Sequence, residues 1–296
     1  MTPRVSVLMS VHDGEQYLRE AIDSILGQDF KDFEFIIIND GSTDHTAEII
    51  GSYADPRIRF MSNRTNLGLP ASLNLGLDVA AGDYIARMDA DDISLPERLS
   101  RQVSYMDAHP EIAASGTWAK DIDANGREFS ARCLPFDERM KCEFWRPSPI
   151  VHPSAIIRKS HLGSLRYDTR LRHAQDYDLW LGLKAHHELG NLPEFLLLYR
   201  VHPASITSRH RGSQIRSTHE IVSRRLGLNV SFRGFQHLLG LLPELNPVSR
   251  VIARRRLARA IHIPYRNYLP EDLAYARNWL RTCFAPRSIR EPTREA

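Results

Sequence analysis

Three carboxylates fall within four consecutive residues of this 296-residue chain, Asp89-Ala90-Asp91-Asp92. Like charges so close repel one another. A folded protein keeps them together only with a cation or a strong set of donors. Hard carboxylate oxygens suit Mg²⁺ or Mn²⁺, and such ions usually hold a phosphate-bearing substrate as well. A D-x-D run by itself is as readily a solvated turn. Its meaning therefore rests on the other polar groups that the fold brings to it.

The elements around it follow a regular pattern. Tyr84-Ile85-Ala86-Arg87-Met88 reads as a strand leading into the acidic loop. Pro96, just beyond, suits a first helical position. Upstream, Val5 to Val11 and Phe33 to Ile38 are apolar runs of the kind found in strands buried on both faces. Ile58 to Met61 is a third, shorter strand. Between them, Tyr17, Leu18, Ala21, Ile22 and Ile25 have helical spacing, as do Ala47, Ile49 and Ile50. Leu69, Leu73, Leu77 and Ala80 line one face of the helix before the acidic strand.

The order is β-α-β-α-β-α-β, which predicts a mostly parallel α/β sheet flanked by helices. Ligands bind outside the carboxyl ends of such strands. Here all four ends are polar: His12-Asp13, Asp40-Gly41-Ser42, Asn63 to Gly68, and Asp89 to Asp92. Gly41 and Ser42 suit a tight turn, and Asp44 is most simply a helix N-cap.

Composition is that of an ordinary soluble domain with a mild net charge of +3, and no nucleic-acid partner is expected. Three cysteines, Cys133, Cys142 and Cys283, lack metal spacing and suggest a reducing compartment. No signal-peptide pattern follows Met1, and no apolar stretch approaches the roughly 20 residues needed to span a bilayer. The expected location is the cytoplasm, with a peripheral place on the inner membrane face open to the basic tail.

The motifs V-S-V-L-M-S-V-H-D-G-E-Q-Y-L, I-I-N-D-G-S-T-D, N-x-G and M-D-A-D-D with L-P-E-R-L resemble those of family 2 glycosyltransferases. The resemblance covers about residues 4 to 208. It implies a Rossmann-like GT-A catalytic domain over 1–208, leaving a helical C-terminal extension over 209–296. It also implies an inverting, metal-dependent transfer from a UDP-sugar to a saccharide or lipid-linked acceptor, as in surface polysaccharide or glycolipid assembly.

Site roles implied by the resemblance follow its motifs. Ser10, Val11, His12 and Asp13 stand where the family usually has Pro-x-Tyr-Asn and holds the nucleotide base, and Asp40 would accept from the base's ring N–H. Asn66, Gly68 and Ala90 extend the donor site. Asp89 would take the ribose and share the metal, Asp91 would bridge metal to diphosphate, and Asp92 would assist at the metal. In Tyr199-Arg200-Val201-His202, Arg200 would close over the diphosphate and His202 could ligate the metal. A plain loop role is the alternative for His12, and for His202 it is as good a reading as ligand.

Asp176, in His173-Ala174-Gln175-Asp176, matches the family's catalytic base, with Gln175 in place of the usual acidic neighbour. Helix N-capping is the alternative for Asp176. The helix from Pro96 to Asp107 places Arg98 and Arg101 on a face expected to be solvated. Ile112 to Trp118 and Val151 to Arg158 read as strands, with His152 structural, and Asp123-Ala124-Asn125-Gly126 as a turn. Phe144 and Trp145 are either core or sugar-stacking residues. In the tail, Arg250, Arg254, Arg255, Arg256 and Arg259 belong either to a helical cap or to a segment lying on an anionic membrane.

A nucleotidyltransferase is the rival enzyme, but no Gly-rich basic loop follows the first strand. No G-x-G-x-x-G follows it either, which disfavours a dehydrogenase. A non-catalytic sugar-nucleotide-binding assembly subunit is the rival outside catalysis; Asp89, Asp91 and Asp176 argue against it.

Overall fold

The computed structural model describes residues 2–134, 136, 149–203 and 205–226. Its first half alternates β1 (Val5–Val11), α1 (Leu18–Leu26), β2 (Phe33–Asn39), α2 (Thr46–Gly51), β3 (Ile58–Ser62), α3 (Leu69–Val79) and β4 (Tyr84–Met88). Every residue of β1, β2 and β4 is buried, as their unbroken apolar runs require. These strands pair in parallel in the order β3-β2-β1-β4, with Val5 level with Phe33 on one side and Tyr84 on the other. All four carboxyl ends therefore open along one edge.

Beyond β4 the sheet becomes mixed. Further elements are β5 (Ile93–Ser94), α4 (Arg98–Ala108), β6 (Ile112–Ile122), β7 (Glu128–Arg132), β8 (Ile156–Arg158), α5 (Lys159–Leu162), α6 (Gln175–Lys184), β9 (Glu188–Arg200) and α7 (Ile206–Leu226). Strand β8 pairs antiparallel with both β4 and β6, β5 antiparallel with β9, β7 antiparallel with β6, and β6 parallel with β9. Two apolar layers result. One packs α1 against Val7, Met9, Phe35 and Ile37; the other packs α3 and α6 against Leu8, Ile36, Ile38 and Ile85. Alternate residues of β1 and β2 thus serve opposite faces.

Several local readings change. Helix α4 starts at Arg98, two residues after Pro96. Strand β6 runs on to Ile122 before the expected turn, where Gly126 has φ +80°. The predicted strand from Val151 divides: a 3-10 turn spans His152–Ser154, around Pro153, and β8 begins at Ile156. Asp44 does cap α2, though from one position before its His45 N-cap, through Thr46 N–H at 3.0 Å. The expected domain boundary at 208 falls within α7. Phe144, Trp145, Cys142, Cys283 and the basic tail residues lie outside the described residues. Among the described residues, no helix is long and apolar enough to cross a membrane.

Arg98 is the largest correction. Expected on a solvated face, it is fully buried. Its guanidinium donates to Arg87 O at 2.6 Å, Pro153 O at 3.0 Å and Gln102 Oε1 at 3.1 Å, tying α4 to β4 and to the His152–Ser154 turn. Spacing alone places Arg98 beside Arg101; only the tertiary fold reveals carbonyls waiting for it. Arg98→Met should lower unfolding free energy by on the order of 3 kcal/mol, since three acceptors lose their donor. A urea midpoint equal to that of the wild type would reject this role.

Candidate active site

The acidic loop joins β4 to β5 at the centre of the open edge. One carboxylate oxygen from each of Asp89, Asp91 and Asp92 lies within 4.8 Å of the others. Asp92 is 1% exposed; its Oδ1 accepts from Arg200 N–H at 2.7 Å, and its Oδ2 is buried with no hydrogen-bond partner among the described residues. Burial, then the charges of Asp91 and Asp89, push its carboxyl well above the usual carboxylate range. Burial also raises Asp89, opposed by the adjacent Arg87. Asp91 Oδ2 lies 2.9 Å from His202 Nε2, so the structure brings that histidine to the acidic loop. An orphaned buried oxygen beside two more carboxylates fits a hard divalent cation such as Mn²⁺ or Mg²⁺.

Two arginines frame this loop. Arg87, read as one residue of an apolar strand, is buried, and its Nη2 donates to Asp89 Oδ1. The signal available for it was a single charge in an otherwise apolar run, two residues before an acid and so on the same strand face.

Arg200, expected near the diphosphate, is held among protein groups behind the acidic loop. It is 2% exposed, and donates to Asp91 O at 2.8 Å, Glu20 Oε2 at 2.6 Å, and the carbonyls of Asp123 and Ala124 at 3.3 Å. Its guanidinium lies 4.4 Å from the Tyr17 ring centre. It pins the acidic loop to β9 and α1.

The candidates for the nucleotide gather at the ends of β1 and β2. Ser10 and Val11 are buried in β1. His12 Nδ1 lies 2.9 Å from Asp40 O. Asp13, at φ +50°, accepts from Thr43 N–H at 2.8 Å. Asp40 is 2% exposed and already accepts from Leu67 N–H and Gly68 N–H at 2.9 Å and from Asn63 Nδ2 at 2.8 Å. Asn66 Oδ1 also accepts from Gly68 N–H. Asp40 thus builds the Asn63–Gly68 loop, and a base N–H would be a fourth donor to it. Gly41, at φ +67°, lets that loop close in: a Cβ there would lie 2.4 Å from Thr65 C. A Cβ at Gly14 would lie 3.8 Å from Ala90 Cβ, so the β1 loop borders the acidic loop.

On the other side of the acidic loop is a cavity of about 620 Å³, whose lining includes Asp89, Asp91, His152, Asp176 and Tyr199. His12, Asp13 and Asp40 do not line it. Asp176 enters from the first turn of α6, whose N-cap is Ala174 at φ +59°. Asp178 faces elsewhere: buried, it accepts from Arg224 and Arg225 of α7 at 2.7–2.9 Å. His152 Nε2 lies 2.9 Å from Tyr167 Oη. Burial, helped by Arg87, holds His152 well below the ordinary histidine range, so it is neutral at pH 7.

The family described as "Glycosyl transferase family 2" matches residues 6–166. The chain is 42% identical over 207 residues to a Methanocaldococcus jannaschii protein named "Uncharacterized glycosyltransferase MJ1057", spanning 67% of this chain and 71% of that one. It is 31% identical over 237 residues to "Amylovoran biosynthesis glycosyltransferase AmsE" of Erwinia amylovora, spanning 78% and 88% of the two chains. In fold it is similar to S. aureus TarS 1–349, solved in complex with UDP-GlcNAc, with a TM-score of 0.64 and 19% identity over 93% of this chain and 87% of that one. It is also similar to the mannosyltransferase PcManGT of Pyrobaculum calidifontis, solved with GDP-Man and Mn²⁺, with a TM-score of 0.62 and 18% identity over 97% and 82%.

Proposed function

The chain belongs to glycosyl transferase family 2, and from that premise we propose that it transfers a sugar from a UDP-sugar to a saccharide or lipid-linked acceptor, with inversion, in surface polysaccharide or glycolipid assembly. The observation that carries this reading is that Asp176 and the acidic loop line one cavity. The pathway is supported by the likeness to AmsE, named for amylovoran biosynthesis.

In the proposed reaction an acceptor hydroxyl attacks the anomeric carbon from the face opposite the diphosphate. The new glycosidic bond forms as the bond from that carbon to the diphosphate oxygen breaks, and UDP departs with the bonding pair. Asp176 takes the hydroxyl proton. Asp89, Asp91, Asp92 and His202 would hold Mn²⁺ or Mg²⁺, which would offset the charge gained by the departing diphosphate. Arg87 and Arg200 keep the loop in shape. His12, Asp13, Asp40, Asn66 and Gly68 form the base end of the donor site, beside Ser10, Val11 and Ala90.

TarS and PcManGT were solved with a uridine and a guanosine donor respectively, so the base is the first thing to test. A thermal-shift panel of UDP-, GDP- and dTDP-sugars, with and without Mn²⁺, should give its largest Mn²⁺-dependent shift with a UDP-sugar. Binding at 100 times Kd would stabilise the fold by about 2.7 kcal/mol. The same donor should then be slowly hydrolysed. A larger shift with GDP-sugars would overturn the UDP assignment; firm binding with no hydrolysis or transfer to any acceptor would favour the assembly-subunit reading.

A further inference from the structure

Arg87 is the second-to-last residue of β4, and its side chain is 2% exposed. Nη2 donates to Asp89 Oδ1, while Nε and Nη1 are buried without a hydrogen-bond partner among the described residues. A guanidinium keeps its charge throughout the pH range of a folded protein, and taking it out of water is costly. Among the described residues, Asp89 alone forms an ion pair with it.

The neighbouring groups are otherwise occupied. Arg98 donates to the carbonyls of Arg87 and Pro153, and Arg200 to Glu20 and the carbonyls of Asp91, Asp123 and Ala124. His152 and Tyr167, on which the charge of Arg87 also acts, are kept neutral at pH 7 by burial and offer no countercharge. The backbone of Arg87 is fixed on both sides: its N–H donates to Ala155 O at 2.8 Å, and its carbonyl accepts from Arg98 at 2.6 Å. A permanent positive charge therefore stands one carboxylate away from wherever Asp89, Asp91 and Asp92 would hold an ion.

That charge has two effects of opposite sign. Without a metal it offsets part of the repulsion among three carboxylates whose oxygens lie within 4.8 Å of one another. Toward an incoming dication it is repulsive, and burial leaves little water or salt to screen it. A diphosphate is drawn by the same charge and offsets the repulsion.

We propose that Arg87 is a resident counter-ion of the acidic loop. It keeps the loop in shape without metal and holds down the affinity for a free divalent cation, so that the cation is retained only together with the diphosphate of the donor. The inference rests on the cation site in the reading above and adds a positioning residue that sets when that site fills.

The probe is Mn²⁺ alone, followed by the electron paramagnetic resonance signal of the free ion at about pH 8, where unperturbed carboxylates are ionised. Arg87→Gln removes the charge and keeps an amide donor for Asp89. With no nucleotide present, the variant should bind Mn²⁺ about 10-fold or more tightly than the wild type. With EDTA present, it should bind UDP about 3-fold or more weakly by calorimetry. A packing defect would weaken both; a lost charge moves cation and anion in opposite directions. Arg87→Lys, which restores the charge, should return both affinities toward the wild type. In EDTA the urea midpoint of Arg87→Gln should fall below that of the wild type, and Mn²⁺ should raise it by more. A variant that folds only with Mn²⁺ would be the extreme of that gain and would support the exchange of one cation for the other.

Mn²⁺ affinity in Arg87→Gln equal to or below that of the wild type would overturn the proposal. So would a joint loss of Mn²⁺ and UDP affinity, or a variant unfolded with and without Mn²⁺, either of which would mark Arg87 as scaffold. Failure of the underlying reading looks different. A wild type that bound no Mn²⁺, with or without UDP, would take away the cation site itself, whereas equal binding by wild type and Arg87→Gln would leave that site standing and remove Arg87 from its control.

Discussion

Asp91→Asn is expected to remove the Mn²⁺-dependent part of UDP affinity, a loss of about 100-fold or more, and with it nearly all transfer. The neighbouring carboxylates are each partly committed: Asp89 Oδ1 to Arg87, and Asp92 Oδ1 to the backbone N–H of Arg200. Asp91 lines the cavity that Asp176 also lines, and among the described residues its carboxylate hydrogen-bonds only with His202, at Oδ2. It is therefore the best placed of the three to bridge a cation and a diphosphate. Misfolding would be a poor explanation for the loss. Removing one charge relieves repulsion that now bears on Asp92 and Asp89, so the variant should unfold at or above the wild-type denaturant midpoint. The amide can still meet His202. UDP would be titrated by calorimetry into both proteins, with Mn²⁺ and with chelator. The same gain from Mn²⁺ in each would remove Asp91 from the metal site.

How far the site was legible varies residue by residue, for physical reasons. The parallel half of the sheet was readable because β1, β2 and β4 are buried on both faces and so consist of continuous apolar runs. Its four polar ends mark the open edge without any knowledge of packing. The second half was harder. Strands β6, β8 and β9 pair in both directions, and the register of β6 against β9 shifts three times; no local pattern encodes that. Arg98 was misread for a related reason: in sequence it looks like an exposed charge such as Arg101, yet it is buried, as Arg200 is, where backbone carbonyls from distant elements converge on it. At Arg200 the Tyr-Arg-x-His pattern carries no sign of the contacts that the fold gives the guanidinium, to Asp91 O and to Glu20. Asp40 is similar, since the Asn-Asp-Gly-Ser pattern marks its position while the fold uses its carboxylate to close the Asn63–Gly68 loop.

The reaction itself is best tested at Asp176. One-step inversion needs a base within hydrogen-bond reach of the acceptor hydroxyl, on the side of the anomeric carbon away from the diphosphate. Such a base typically contributes about 10² to 10⁴ in rate. Asp176 lines the cavity that Asp89 and Asp91 also line, and it sits in the first turn of α6, where the helix dipole favours a negative charge. Asp178 provides an internal comparison. Two residues on, it points about 200° away around the helix, and its carboxylate is occupied by Arg224 and Arg225. Asp176→Asn should therefore keep UDP-sugar affinity while turnover falls by about 10² to 10⁴. Asp178→Asn should do the reverse, losing on the order of 1–3 kcal/mol of stability as the buried carboxylate that Arg224 and Arg225 share loses its charge, with the folded fraction still turning over. The two substitutions make the same carboxylate-to-amide change on the same helix, so a difference between them reports position and not composition. Donor affinity, turnover and urea midpoints would be measured for both. Near-normal turnover in Asp176→Asn would end this mechanism. Retention of the donor's anomeric configuration in the product, read from NMR coupling constants, would end it independently, because a single displacement at carbon must invert.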